Sequence, residues 1–209
     1  SRRMLSGRVR CRDVQVIANP VTPLTDPTWS PAARIVLNVG RLVDKKGQRD
    51  LLLAFASIDT PQWLLVFCGD GPLLGDLQRT ATELEIADRV TFAGTVKDVG
   101  THLGRAGIFA FPSYFEGFPN ALAEALLAGL PCVSYDCPTG PAELIRDGEN
   151  GYLVSVGDIE GLAARLEELM NDPEKAARLG GEATKLSSVL SPRSICAQYF
   201  NYCLARAAA

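Results

Sequence analysis

The sequence predicts an α/β protein built on a doubly wound, Rossmann-like parallel sheet. From residue 34 onward, short β-branched or apolar runs alternate with stretches of helical period, the pattern of parallel strands covered by helices on both faces. Right-handed crossovers then stack the βα units into a single sheet. The strands are placed at residues 34–39, 63–68, 90–93, 108–111, 132–135 and 152–154. Between them, residues 48–57 direct Leu51, Leu52, Ala54 and Phe55 toward a sheet. Residues 158–170 start at an Asp158 cap and repeat Leu162, Leu166 and Leu169 at helical spacing.

The ends differ from the middle. Residues 1–30 hold one strand-like run, 14–18, followed by Asn19-Pro20, Pro23, Pro27 and Pro31. That stretch reads as a last strand and linker from a part lying upstream. Residues 31–190 form the main domain. Residues 191–209 read as a final helix, with Pro192 in its first turn and Ile195, Tyr199, Tyr202 and Leu204 along it.

With 209 residues, the chain can build one substantial domain, and two complete ones would be cramped. Its 47% hydrophobic and 22% charged residues are those of a soluble globular protein. The 21 basic and 24 acidic side chains leave a net charge of -3, too balanced for a chain whose main partner is a nucleic acid. Any bound anion must therefore be held locally. The six cysteines lack paired CxxC spacing and are joined by one histidine, His102, which argues against zinc and for buried reduced thiols. His102 falls in a predicted helix ahead of the 108–111 strand, where a packing or surface role is expected. No apolar run approaches the ~18 residues of a membrane span and nothing resembles a signal peptide, so a cytoplasmic location is expected.

In such a sheet, ligands sit beyond the carboxyl ends of the strands, and three of those loops are unusual. Gly40-Arg41 follows the first strand, with Lys46-Gly47 at the start of the next helix. Two cations beside a helix N-terminus can neutralise a diphosphate without a metal, although a solvated loop would look the same. Gly69-Asp70-Gly71-Pro72, with Gly75 beyond it, follows the second strand and imitates a dinucleotide fingerprint. A nicotinamide-binding domain is thus a competing reading. Against it, the first βα turn carries no such motif, and no acid stands at the end of the following strand to hold a ribose.

The third loop runs Pro112-Ser113-Tyr114-Phe115-Glu116-Gly117-Phe118-Pro119-Asn120 into Ala121-Leu122-Ala123-Glu124-Ala125. A helix starting at Pro119 would leave the amides of Gly117 to Asn120 free for a ligand. Glu124 is the only charge between Ala121 and Leu130. A carboxylate in so apolar a helix is costly to bury without a donor, and sugar or ribose hydroxyls are suitable donors. An exposed glutamate on one helix face is the plain alternative.

Taken in order, these residues resemble glycosyltransferase family 4, the retaining nucleotide-sugar transferases with two facing Rossmann-like domains (the GT-B fold). The resemblance covers about residues 35–186 and corresponds to the second, donor-binding domain. It rests on Gly40-Arg41 with Lys46-Gly47, Gly69-Asp70-Gly71-Pro72, Phe92 and Gly94, Pro112-Ser113, Glu116 and Glu124 with seven residues between them, and Asp147-Gly148 with Asn150-Gly151. The resemblance implies that Arg41 and Lys46 hold the donor diphosphate. Glu116 and the amides of Gly117, Phe118 and Asn120, with Pro119 shaping the turn, would meet the transferred sugar. Glu124 would bind the ribose, Gly40, Gly69 and Gly71 would admit the donor, and main-chain groups at Thr95 and Val96 would meet the base. No metal or other cofactor is implied.

The segment from Cys137 to Glu143 is similar to members that use UDP-linked hexoses or N-acetylhexosamines in surface polysaccharide synthesis. The family's amino-terminal domain, which supplies acceptor contacts for a saccharide or lipid-linked acceptor, has no counterpart here, so the chain alone is expected to transfer slowly or not at all. The full enzyme is expected in the cytoplasm, with peripheral association at the inner face of the membrane. A subunit that binds the nucleotide sugar without catalysis is the alternative.

Overall fold

The structure, a computed structural model, describes residues 16–26 and 29–207. Six strands, β1 (Ile35–Val39), β2 (Leu64–Cys68), β3 (Val90–Gly94), β4 (Ile108–Phe111), β5 (Cys132–Tyr135) and β6 (Tyr152–Val154), pair in parallel in the order β3-β2-β1-β4-β5-β6. The last three coincide with the predicted spans. The first two start one residue late: pairing opens with Leu64 N–H donating to the Arg34 carbonyl, and Trp63 is tied into a turn on the Thr60 carbonyl.

Nine helices complete the described residues: α1 (Gln48–Ala56), α2 (Leu74–Glu83), α3 (Val99–Leu103), α4 (Asn120–Leu127), α5 (Pro141–Leu144), α6 (Ile159–Asn171), α7 (Pro173–Ala183), α8 (Ser187–Leu190) and α9 (Pro192–Ala207). The sheet separates two cores. On one face Leu51, Leu52 and Phe55 of α1, Leu77 of α2 and Leu162, Leu166 and Leu169 of α6 pack with Val36, Leu65 and Ile108. On the other Leu103, Leu122, Leu126 and Leu190 pack with Leu37, Phe109 and Phe111. Val36 and Leu37 face opposite ways because strand side chains alternate.

Strand order reverses between β1 and β4. These two share only the register pairs Val36↔Ile108 and Leu37↔Phe109. Past that point the buried Asn38 carboxamide bridges them, donating from Nδ2 to the Ala110 carbonyl at 2.8 Å. The crevice opened there is where an open parallel sheet receives a ligand.

Two expectations need correction. Of the run 14–18, Val16, Ile17 and Ala18 are irregular, while Val14 and Gln15 lie outside the described residues. Val21 instead ties this segment to the body through its N–H to the Leu190 carbonyl. Cys68, Cys132 and Cys137 are buried free thiols, but Cys196 and Cys203 are exposed, because α9 buries Ile195 and then leaves Tyr199, Phe200 and Leu204 open to solvent. Cys11 lies outside the described residues. Pro72 sits in a turn ahead of α2.

The α6–α7 corner is held by charge. Asp158 and Asp172 cap the two helices by accepting from the amides of Gly161 and Lys175. Glu168 receives hydrogen bonds from Lys175, Arg165 and Tyr152, and these partners, Lys175 foremost, hold its pKa down to about 2. The stabilisation is complete above the ordinary carboxylate range and is lost as pH falls through the depressed value. Glu168→Gln is expected to cost about 1–2 kcal/mol at neutral pH, allowing for solvent screening. In thermal melts, the gap to wild type should close as the pH is lowered toward about 2.

Candidate functional site

The site is assembled from loops that leave the carboxyl ends of five strands. The β1 loop lies directly on the β2 loop: Gly40 N–H donates to the Cys68 carbonyl at 2.9 Å and Leu42 N–H to the Asp70 carbonyl at 3.0 Å. Gly69 passes so close to the Gly40 carbonyl that any Cβ would collide with it, and its N–H reaches the Gly94 carbonyl at 2.8 Å. Gly71 closes this turn, its N–H held by Asp70 Oδ1 at 2.7 Å. Three loops are thus stacked in contact, with the Arg41 side chain exposed and without a hydrogen bond or ion pair among the described residues.

After Arg41 the chain makes one 3₁₀ turn, Asp44–Lys46, and reaches Gly47 at φ 65°. A left-handed residue is needed here to turn into α1. A Cβ would also strike the Pro112 carbonyl. The neighbouring Tyr114 N–H donates to the Lys45 carbonyl at 2.8 Å, so the loops after β1 and β4 are joined across the switch point.

That join brings Lys46 and Glu116 together. Lys46 Nζ lies 2.5 Å from Glu116 Oε1, and the side chains are only 19% and 10% exposed. The amine also sits 5.3 Å from the centre of the Phe111 ring. Its stem runs past Gly40, 3.7 Å from where a Cβ would stand. Glu116 is fixed from behind by Thr139, whose hydroxyl donates to the Glu116 carbonyl, and the same β5 loop rests Gly140 against Pro119.

The turn into α4 differs from expectation. Pro119 occupies the N-cap position, and the Asn120 N–H is donated to the Phe118 carbonyl at 3.0 Å. Since proline has no N–H, the free amides narrow to those of Gly117 and Phe118, neither of which has a protein partner among the described residues. Asn120 accepts instead from Asn19 Nδ2 at 3.5 Å. One turn further on, Glu124 is half-buried, its carboxylate has no hydrogen bond or ion pair among the described residues, and burial raises its pKa. Thr95 is exposed just past β3, and Val96 packs on the second core, as do Val99 and Phe118. His102 lies on α3 as predicted.

Behind the cationic loops stand groups that the sequence reading did not single out. Gln48 and Asp50 open α1 as polar residues, yet both are buried. Tyr135 donates to Asp50 Oδ2 at 2.8 Å, and Tyr114 stacks on Tyr135 with ring centres 6.1 Å apart. Burial, then Asp50, pushes the Tyr114 phenol up to about 12. A polar helix start ordinarily faces water, and only the fold shows that this one does not.

Residues 27–186 match the family described as Glycosyl transferases group 1. The chain belongs to that family. The chain is 37% identical over 169 residues to an exopolysaccharide phosphotransferase of Streptomyces coelicolor, a match covering 79% of this chain and 18% of that protein. It is 34% identical over 165 residues to the lipopolysaccharide core biosynthesis glycosyltransferase LpsE of Rhizobium meliloti, covering 79% of this chain and 47% of that one. The chain therefore spans half or less of these relatives. Among solved structures it resembles Anabaena HepE, crystallised in complex with UDP, with a TM-score of 0.79 and 27% identity over 84% of this chain and 50% of that chain. It also resembles the lipopolysaccharide outer core galactosyltransferase WaaB, with a TM-score of 0.83 and 26% identity over 98% of this chain and 59% of that chain.

The site loops leave no space at Gly47. Gly47→Ala combines left-handed strain with a collision against backbone and is expected to cost about 3 kcal/mol or more. A fall in melting temperature larger than that of an exposed Gly→Ala control such as Gly181→Ala, where a Cβ meets nothing, would report it.

Proposed function

We propose that this chain is the donor-binding domain of a retaining, family 4 glycosyltransferase that moves a hexose or N-acetylhexosamine from a UDP-sugar to a saccharide or lipid-linked acceptor in polysaccharide or glycolipid synthesis. The observation that carries this reading is the contact of Lys46 with Glu116 at the switch point. One cationic and one acidic loop meet there, with a partnerless cation, Arg41, and a partnerless acid, Glu124, on elements opening from the same rim. The complex of HepE with UDP and the lipopolysaccharide role in the name of LpsE support the choice of donor and pathway class.

In this reading Arg41 and Lys46 face the diphosphate. Glu116 and the Gly117 and Phe118 amides receive the sugar, Glu124 accepts from the ribose hydroxyls, and main chain near Thr95 and Val96 meets the base. The bond between the anomeric carbon and the diphosphate oxygen breaks, and its electron pair leaves with the phosphate. The acceptor oxygen bonds to the same face of the carbon, and its proton passes to the departing phosphate oxygen. Two fixed cations balance the charge that develops on that oxygen without a metal. Removing either is expected to cost on the order of 10²-fold in rate. The acceptor contacts belong to the remaining half of the full-length enzyme, which works at the inner face of the membrane. The chain alone is then a binder rather than a transferase.

UDP is expected to raise the melting temperature, and NAD to leave it unchanged. Lys46→Ala should weaken UDP binding by about tenfold or more; a variant that binds UDP as wild type does overturns the diphosphate assignment.

Glu124 gives a second test. Because burial raises its folded-state pKa, the protonated acid carries no penalty below the ordinary carboxylate range, and the ionised, unpaired acid is penalised above it. Glu124→Gln should therefore melt with wild type near about pH 4 and above wild type near about pH 8, while binding UDP about tenfold more weakly. Equal UDP affinity would remove Glu124 from the ribose.

A further inference from the structure

Gln48 is the first residue of α1 and is 1% exposed. Its Nε2 donates to the Arg41 carbonyl at 3.1 Å, while its Oε1 is buried with no hydrogen-bond partner. The residues that follow it on the inner side of the helix, Leu51 and Leu52, belong to the apolar core. A buried acceptor left unpaired works against folding, and an unbranched apolar side chain of the same length would fill the space without that penalty. Stability alone does not account for a glutamine here. Its one bond leads to Arg41.

The Arg41 guanidinium has no partner among the described residues, so its placement depends on its own backbone. That backbone is held on one side by the β2 loop, through Gly40 N–H to Cys68 and Leu42 N–H to Asp70. On the other side, the Arg41 carbonyl accepts from Val43 N–H at 3.0 Å, within the same short turn, and from Gln48. Gln48 is therefore the side-chain bond that anchors the Arg41 peptide to a helix. Without it the turn is clamped from one side only, and the guanidinium gains freedom that a ligand must remove on binding.

We propose that Gln48 is a positioning residue for the donor diphosphate, acting through Arg41, and that the chain retains it at a cost in stability. This rests on the assignment of Arg41 to the diphosphate. UDP affinity by calorimetry and melting temperature would be measured for wild type, Gln48→Met, Arg41→Ala and the double variant. Gln48→Met is expected to weaken UDP binding about three- to tenfold with a melting temperature equal to or above that of wild type. In the Arg41→Ala background the same change should weaken binding by less than about twofold.

An unchanged UDP affinity in Gln48→Met, or an equal loss in both backgrounds, overturns the proposal, because a merely structural residue would act whether or not Arg41 is present. Gln48→Asn, which keeps the carboxamide but stops short of the Arg41 carbonyl, gives the same reading if the methionine variant does not fold. If Arg41→Ala itself binds UDP as wild type does, the diphosphate assignment falls and this inference falls with it. If Arg41→Ala is impaired and Gln48→Met is not, only this inference fails.

Discussion

The parting of β1 and β4 after two paired positions determines most of what surrounds it. Parallel strands on either side of that line send their crossovers to opposite faces, so no helix closes the gap at their carboxyl ends. The gap is spanned by small numbers of specific contacts: Asn38 to the Ala110 carbonyl, Tyr114 N–H to the Lys45 carbonyl, and Lys46 to Glu116. Each joins the β1 side to the β4 side, and together they bring two loops of opposite charge within hydrogen-bonding distance.

The strands were legible because a sheet covered on both faces needs near-continuous apolar runs, and these runs are short enough to be bounded by their own turns. β4, β5 and β6 are buried almost throughout and their limits could be read directly. The site was legible for a different reason. Charged residues placed just after such runs cannot contribute to the core, so Arg41, Lys46 and Glu116 stand out as groups with some other use, and Glu124 stands out as a lone charge in an apolar helix.

What escaped the sequence was polarity directed inward. Gln48 and Asp50 sit where a helix start normally meets water. Their burial follows from the way α1 is drawn in against Arg41 and Tyr135, and those partners are far away in the chain or on main-chain atoms that leave no trace in composition. The same limit applies to Asn120, whose amide is spent on a local turn, and to Cys196 and Cys203, whose helix continues beyond its last core contact at Ile195. Apolar neighbours in a sequence indicate burial only while the helix remains on the body of the domain.

The closed salt bridge between Lys46 and Glu116 also sets a condition on what can enter. With both side chains largely screened from water, a lone anion that attracts the ammonium group would strand a carboxylate in surroundings that solvate it poorly. A molecule bearing a negative group and, a few ångströms away, hydroxyls able to donate can satisfy both ends at once. The crevice is thereby already biased against small free anions and toward ligands that carry the two chemistries in one frame.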